Sequence, residues 1–110
     1  LKAKKNGYYF ILSDESITGL NKSLQINQDE YFILKLLSDS KSGEVDNIYF
    51  LNYFKRPELS EDACIKRKNK AILDLNNKFD ELHGLKIIIK KTKKSDSRQI
   101  LYSLNEKITF

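Results

Sequence analysis

Basic side chains are concentrated in the C-terminal half of the chain. Residues 60–110 hold 12 Lys/Arg and 7 Asp/Glu, whereas residues 1–59 hold 8 of each. The cations are densest in residues 86–98, where Asp96 is the only acidic residue. A basic segment of this density suits a polyanion, because each neutralised phosphate releases condensed counterions. The other interpretation of the charge is a solvated lysine-rich surface.

Side chains suited to catalysis are few. His83 is the only histidine and precedes Gly84 at a predicted helix end, where we expect it to be exposed beside the last carbonyls. Cys64, the only cysteine, falls on an apolar helix face without an adjacent base, so we expect a structural thiol. A single cysteine excludes an intrachain disulfide and two-cysteine metal clusters. The sequence therefore predicts no catalytic activity, no metal and no cofactor.

A long helix is predicted to position the first group of cations. Ser60 can cap its N-terminus and Gly84 can end it, which predicts a helix over residues 60–83. At 100° per residue the apolar residues form one face: Cys64, Ile65, Ala71, Ile72, Leu75, Phe79 and Leu82. The outer side presents groups able to read base edges: Lys66, Arg67, Lys70, Asn77 and Lys78. Two residues break the pattern, since Lys68 falls near the apolar centre and Leu73 falls outside it. An ordinary amphipathic surface helix is the alternative.

A basic hairpin is predicted to follow this helix. Residues 85–91 and 98–104 read as strands, joined by a polar turn over residues 92–97. Its cations are suited to phosphate contacts, and Arg98 also to the minor groove. These cations are Lys90, Lys91, Lys93, Lys94 and Arg98.

The N-terminal half is predicted to supply a small meander and two helices. Three branched or aromatic runs indicate antiparallel strands, at residues 8–12, 16–18 and 23–26. Asn27 and Glu30 form a capping-box pattern that opens the first helix. Apolar residues over 45–54 predict a short, heavily buried second helix that ends before Pro57. The tail over residues 105–110 can add a strand edge or fray.

Length and composition predict one domain. A chain of 110 residues with 40% hydrophobic content can close one modest core. No apolar run is long enough for a membrane span, and we expect no signal peptide. With its single cysteine, we expect a soluble, cytoplasmic protein. The absence of methionine indicates that residues 1–110 are a fragment of a longer protein, and any homodimer is expected to form through regions outside it.

Three stretches match a known family pattern. Residues 23–37 are similar to a strand followed by an "L-T-x-x-E-F" helix start, and residues 72–79 to the helix signature I-x-x-L-R-x-K-L. Ile89 and residues 102–104 are similar to a wing that ends in G-Y-x-L. With the order of meander, three helices and hairpin, the chain resembles the effector domain of OmpR/PhoB-type response regulators.

Several departures from that pattern indicate a divergent branch. Asn76 replaces the signature arginine, Lys68 occupies the place of a buried valine, and the predicted wing is longer and lacks a glycine. Asp96 and Arg98 also resemble the D-x-R wing of MarR-type regulators, although a plain turn pair explains them equally.

The resemblance implies a fold and a function. The fold is α+β, a winged helix-turn-helix with N-terminal antiparallel strands, three helices and a C-terminal hairpin wing. The expected function is double-stranded DNA binding as the output module of a transcription regulator. Helix 60–83 would enter the major groove, and wing 86–104 would contact phosphates and the minor groove. The alternatives are a winged helix of a replication initiator and a winged helix used for protein interaction.

Overall fold

In a computed structural model that describes residues 8–19, 22–93 and 96–110, short strands at both ends of the chain flank a central group of helices. The strands are β1 Tyr8–Tyr9, β2 Ile11–Leu12, β3 Ser16–Gly19, β4 Lys22–Gln25, β5 Glu44–Asp46, β6 Ile88–Lys93, β7 Asp96–Leu104 and β8 Ile108–Thr109. The helices are α1 Gln28–Asp39, α2 Asn47–Phe54 and α3 Glu61–His83. Two antiparallel sheets have the orders β2-β3-β4 and β5-β7-β6, and β1 pairs with β8 in parallel. The α+β class and the three helices are confirmed.

Helix α1 begins at the predicted capping box. The Asn27 side chain accepts a hydrogen bond from the Glu30 backbone N–H at 2.8 Å, and the Asn27 N–H donates to the Glu30 carboxylate at 2.9 Å. Two of the N–H groups that a helix start leaves without partners are thereby satisfied. The local sequence is therefore sufficient to fix this boundary.

The region of β5 and α2 differs from the prediction. Val45, which we assigned to the second helix, lies in β5 opposite Tyr102 of β7, and α2 begins only at Asn47. The expectation of a heavily buried helix is wrong, since Ile48 is 57% and Tyr49 60% exposed. A strand of three residues shows no periodicity of its own, and its partner lies far along the chain.

Helix α3 has the predicted bounds. The Ser60 side chain accepts a hydrogen bond from the Ala63 N–H at 3.1 Å, and Gly84 ends the helix at φ 72° in the left-handed region. Leu75 and Phe79 are fully buried, as predicted. The two residues that break the apolar pattern of this helix lie where a spacing of 100° per residue places them. Lys68 is 3% exposed, whereas Leu73 is 58% exposed.

The hairpin strands reach further toward the tip than predicted. Strand β6 also begins at Ile88 rather than at Leu85, so residues 85–87 do not belong to it. Strand β6 extends to Lys93 and β7 begins at Asp96, so the connection is shorter than the turn assigned to residues 92–97. A register irregularity at Thr92/Lys93 allows the ladder to continue toward the tip. The tail is also ordered, because Ile108 of β8 pairs with Tyr8.

The core lies between the three helices and one face of the β5-β7-β6 sheet. Val45, Ile88 and Tyr102 contribute from that sheet. The N-terminal strands add further apolar residues, and Phe10 forms ring contacts with Phe79 and His83. The expectation of an exposed His83 is therefore wrong. Burial, and then the nearby Lys22, lower the pKa of His83.

Candidate nucleic-acid interface

The outer side of α3 presents a polar stripe to solvent. Lys66, Lys70 and Asn77 are exposed on this stripe. Asn69 and Leu73 are exposed on it as well, although neither was among the predicted contact residues. The Lys70 ammonium lies 2.8 Å from the Asp74 carboxylate, and this hydrogen bond raises the pKa of Lys70. Such a solvent-exposed i,i+4 pair contributes little to stability, so a phosphate can replace the carboxylate at little cost.

Two other predicted contact residues lie on the flank of α3 that packs against α1. The Arg67 guanidinium is 3.0 Å from Asp29 and lies over the Phe54 ring at 5.6 Å. The Lys78 ammonium donates to both carboxylate oxygens of the fully buried Glu30, at 3.1 and 3.2 Å. A buried carboxylate is costly unless it is paired. Lys78 therefore serves the fold, and the exposed Arg67 is already paired with Asp29, whereas Lys66, Lys70 and Asn77 lie on the outward stripe.

The two neighbouring hairpin lysines point to opposite faces of the sheet. Lys90 is paired with Tyr102, whose ring packs 5.4 Å from Phe50 of α2, so Lys90 lies on the helix side. Lys91 points the other way, and its ammonium is 3.7 Å from the carboxylate of Glu44 on β5. Only Lys90 therefore shares a side with α3.

Three further residues of the predicted interface belong to the hairpin. Lys94 lies outside the described residues, as do the side chains of Lys93 and Arg98. Their part in the predicted interface remains a prediction from sequence.

The Asn76 side chain links α3 to the hairpin through hydrogen bonds. Its side-chain carbonyl accepts from the N–H groups of Ile87 and Ile88 at 3.1 and 2.9 Å, and its amide N–H donates to the Ile88 carbonyl at 3.2 Å. One side chain thus satisfies three backbone groups at the open edge of β6. From the sequence, Asn76 is only a departure from the family pattern. Its hydrogen-bond partners lie eleven and twelve residues further along the chain, and no local pattern indicates them.

Lys68 lies beneath this surface as a buried ammonium. It donates to the Asn47 side-chain carbonyl at 2.8 Å and to the Tyr102 hydroxyl at 3.0 Å, and so links α2, α3 and β7. No carboxylate of the described residues is within ion-pair distance of it. Burial, and then the Lys90 charge, lower the pKa of Lys68 to about 8.

The described ranges 8–19, 22–93 and 96–110 offer little to other kinds of site. They contain no group of three or more His, Cys, Asp or Glu able to hold a metal ion, and no helix long and apolar enough to cross a membrane. The buried Cys64 thiol donates to the Phe54 carbonyl at 3.3 Å. An open groove of ≈ 420 Å³ lies beside α2, lined in part by Ile48, Lys55 and Leu59.

No family model, curated protein or solved structure matches the chain. A function for the α3 surface is therefore inferred from its own chemistry and geometry.

Proposed function

We propose that the protein is a winged-helix module that binds duplex DNA, as the output module of a transcription regulator. In this proposal α3 enters the major groove and the β6–β7 hairpin contacts the backbone. The order α1, β5, α2, α3, β6, β7 supports it, because a second helix and a recognition helix are followed directly by a two-stranded wing. The hydrogen bond from the Asn76 side chain to the Ile88 carbonyl holds the β6–β7 hairpin beside α3, which also supports the proposal.

The observation that carries the proposal is the outward stripe of α3. Lys66, Lys70 and Asn77 are exposed along it, whereas Arg67 and Lys78, which are paired with carboxylates of α1, lie on the flank. A helix about 10–12 Å across fits a major groove about 12 Å wide. Ammonium groups suit guanine or phosphate oxygens, and a carboxamide suits adenine. The stripe therefore has both the shape and the donors that groove reading requires.

The hairpin supplies the second contact element. Lys90 faces the same side as α3, while the hairpin sequence adds further cations toward its tip. Contacts to phosphate fix the register of a protein on DNA without conveying sequence. Two elements held in fixed relation bind more tightly than either alone, because the second contact becomes intramolecular.

The test is a titration on duplex DNA from low to physiological salt. We expect the logarithm of affinity to fall linearly with the logarithm of salt, by roughly 0.9 for each phosphate neutralised. Lys90→Ala should weaken binding and reduce the steepness of that slope by about 0.9, the amount that corresponds to one phosphate contact. Its sequence neighbour provides the matched control, since Lys91→Ala removes the same charge from the opposite face. Absence of binding at low salt, or equal effects of the two variants, would contradict the proposal.

A winged helix used for protein interaction is the second candidate. It is favoured by the exposure of Ile48 and Tyr49 on α2, next to the open groove. The same titration separates the two candidates, because an interaction module has no reason to bind duplex DNA in a salt-dependent manner. Retention of a partner by apolar contacts at high salt would support this candidate instead.

A further inference from the structure

Three exposed side chains form a single row along the outer stripe of α3. Asn69, Leu73 and Asn77 are four residues apart, so each lies one turn above the last and slightly to one side. Leu73 is 58% exposed and stands between the two asparagines. Four residues advance the helix by about 6 Å, a little under two base-pair steps of 3.4 Å. The row can therefore address neighbouring base pairs.

The row has no structural task in the described part of the chain. Neither asparagine amide is hydrogen-bonded to any of the described residues, and Leu73 takes no part in the hydrophobic core. By contrast, Asn76, which lies between Leu73 and Asn77 in sequence, uses both its carbonyl and its amino group in hydrogen bonds to the backbone of Ile88. The polar atoms and the leucine side chain of the row thus remain available to a ligand.

The chemistry of the row selects among base pairs. In the major groove thymine alone presents a methyl group, and an apolar side chain is its natural contact. Adenine presents an acceptor and a donor that a carboxamide matches with two hydrogen bonds. An apolar side chain flanked by two carboxamides is therefore suited to a short run of A·T pairs.

We propose that Leu73 is a specificity-determining residue that contacts the 5-methyl group of thymine, with Asn69 and Asn77 reading adenines beside it. This inference rests on the proposed duplex-DNA binding and adds the base composition of the preferred site. The lysines of the same stripe then position the helix on the backbone without setting this preference.

The experiment removes only the methyl group. A preferred site is first selected from a randomised duplex, and each thymine in it is then replaced by uracil, which keeps every hydrogen-bonding group. We expect one replacement to weaken binding by the wild-type chain about four-fold, the factor that corresponds to one buried methyl group. Leu73→Ala should bind the thymine and uracil duplexes equally. The matched control is Ile48→Ala, which truncates a similarly exposed residue on α2 and should keep the four-fold difference.

The outcomes distinguish this inference from the proposed function. If the chain binds duplex DNA but uracil is tolerated at every position, or Leu73→Ala keeps the difference, the role of Leu73 is overturned while DNA binding stands. Selection of a site without consecutive A·T pairs would overturn the role of the asparagines. If the wild-type chain binds no duplex at low salt, both proposals fail together. A thermal melt of Leu73→Ala confirms that the folded protein is compared, since exposed substitutions change stability little.

Discussion

The buried charge of Lys68 should make the stability of the protein rise with pH. Its ammonium donates hydrogen bonds to the side-chain carbonyl of Asn47 and to the Tyr102 hydroxyl. Burial, and to a smaller extent the Lys90 charge, lowers the pKa of Lys68 from 10.5 to about 8. Between these two pKa values the unfolded chain binds a proton that the folded chain has released. The free energy of unfolding therefore increases with pH in that window, and below it the desolvation penalty is fully present.

The size of the effect follows from the two pKa values. The full difference corresponds to about 3 kcal/mol, since one pKa unit is 1.36 kcal/mol. Integrated between about pH 7.5 and 9.5, the Lys68 contribution to the free energy of unfolding should grow by about 2 kcal/mol. This range lies below the raised pKa of Tyr102, so that hydroxyl stays protonated.

The variant Lys68→Met isolates this contribution. Methionine has a similar length and a flexible unbranched side chain, so it can fill the same space without the charge. Near neutral pH we expect the variant to be as stable as the wild-type chain or more stable, because a desolvated charge has been removed. Urea unfolding of both proteins across the pH range measures the difference in stability, from which the titrations of groups that do not interact with Lys68 cancel. If the stability difference between the two proteins stays constant with pH, Lys68 is not a buried ammonium and this reasoning fails.

Two further stability predictions use matched substitutions and thermal or urea unfolding. Lys78→Met should cost about 1–3 kcal/mol, because it leaves the buried Glu30 carboxylate without its cation. Lys35→Met removes only an exposed i,i+4 pair and should cost less than about 0.5 kcal/mol; equal costs would contradict the structural role of Lys78. Leu75→Ala should cost roughly 2–5 kcal/mol through lost burial and a residual cavity, whereas Lys70→Ala should stay within about 0.5 kcal/mol of wild type. The reverse order would mean that α3 is rotated from the described orientation.

Local signals in the sequence account for the helix boundaries. The capping pair Asn27 and Glu30, the Ser60 cap and the Gly84 stop each act over three or four residues, and each lies where predicted. The apolar face of α3 also follows from its periodicity alone, including the buried position of Lys68. Hydrogen bonds that close within one turn leave a pattern that can be read directly.

Non-local contacts explain what the sequence analysis missed. The sequence predicts helix at Val45 of β5 because the pairing of β5 depends on β7. It also predicts that both hairpin strands stop short of the tip, because the ladder continues there through an irregularity. Contacts between elements that are distant in sequence also decide which cations belong to the candidate site. A helical wheel cannot show that α1 places Asp29 and Glu30 against Arg67 and Lys78, so structural cations were grouped with exposed ones.

The most direct test of DNA binding by the α3 surface is a chemical-shift map of the folded chain. A labelled sample is titrated with duplex DNA at low salt, and the shift of each backbone amide is followed. We expect the largest changes along the outer stripe of α3, from Lys66 to Asn77, and in strands β6 and β7, while the β2-β3-β4 sheet stays unchanged. Shifts confined to the β2-β3-β4 sheet or to the outer side of α2, or no shifts at any residue, would contradict the account.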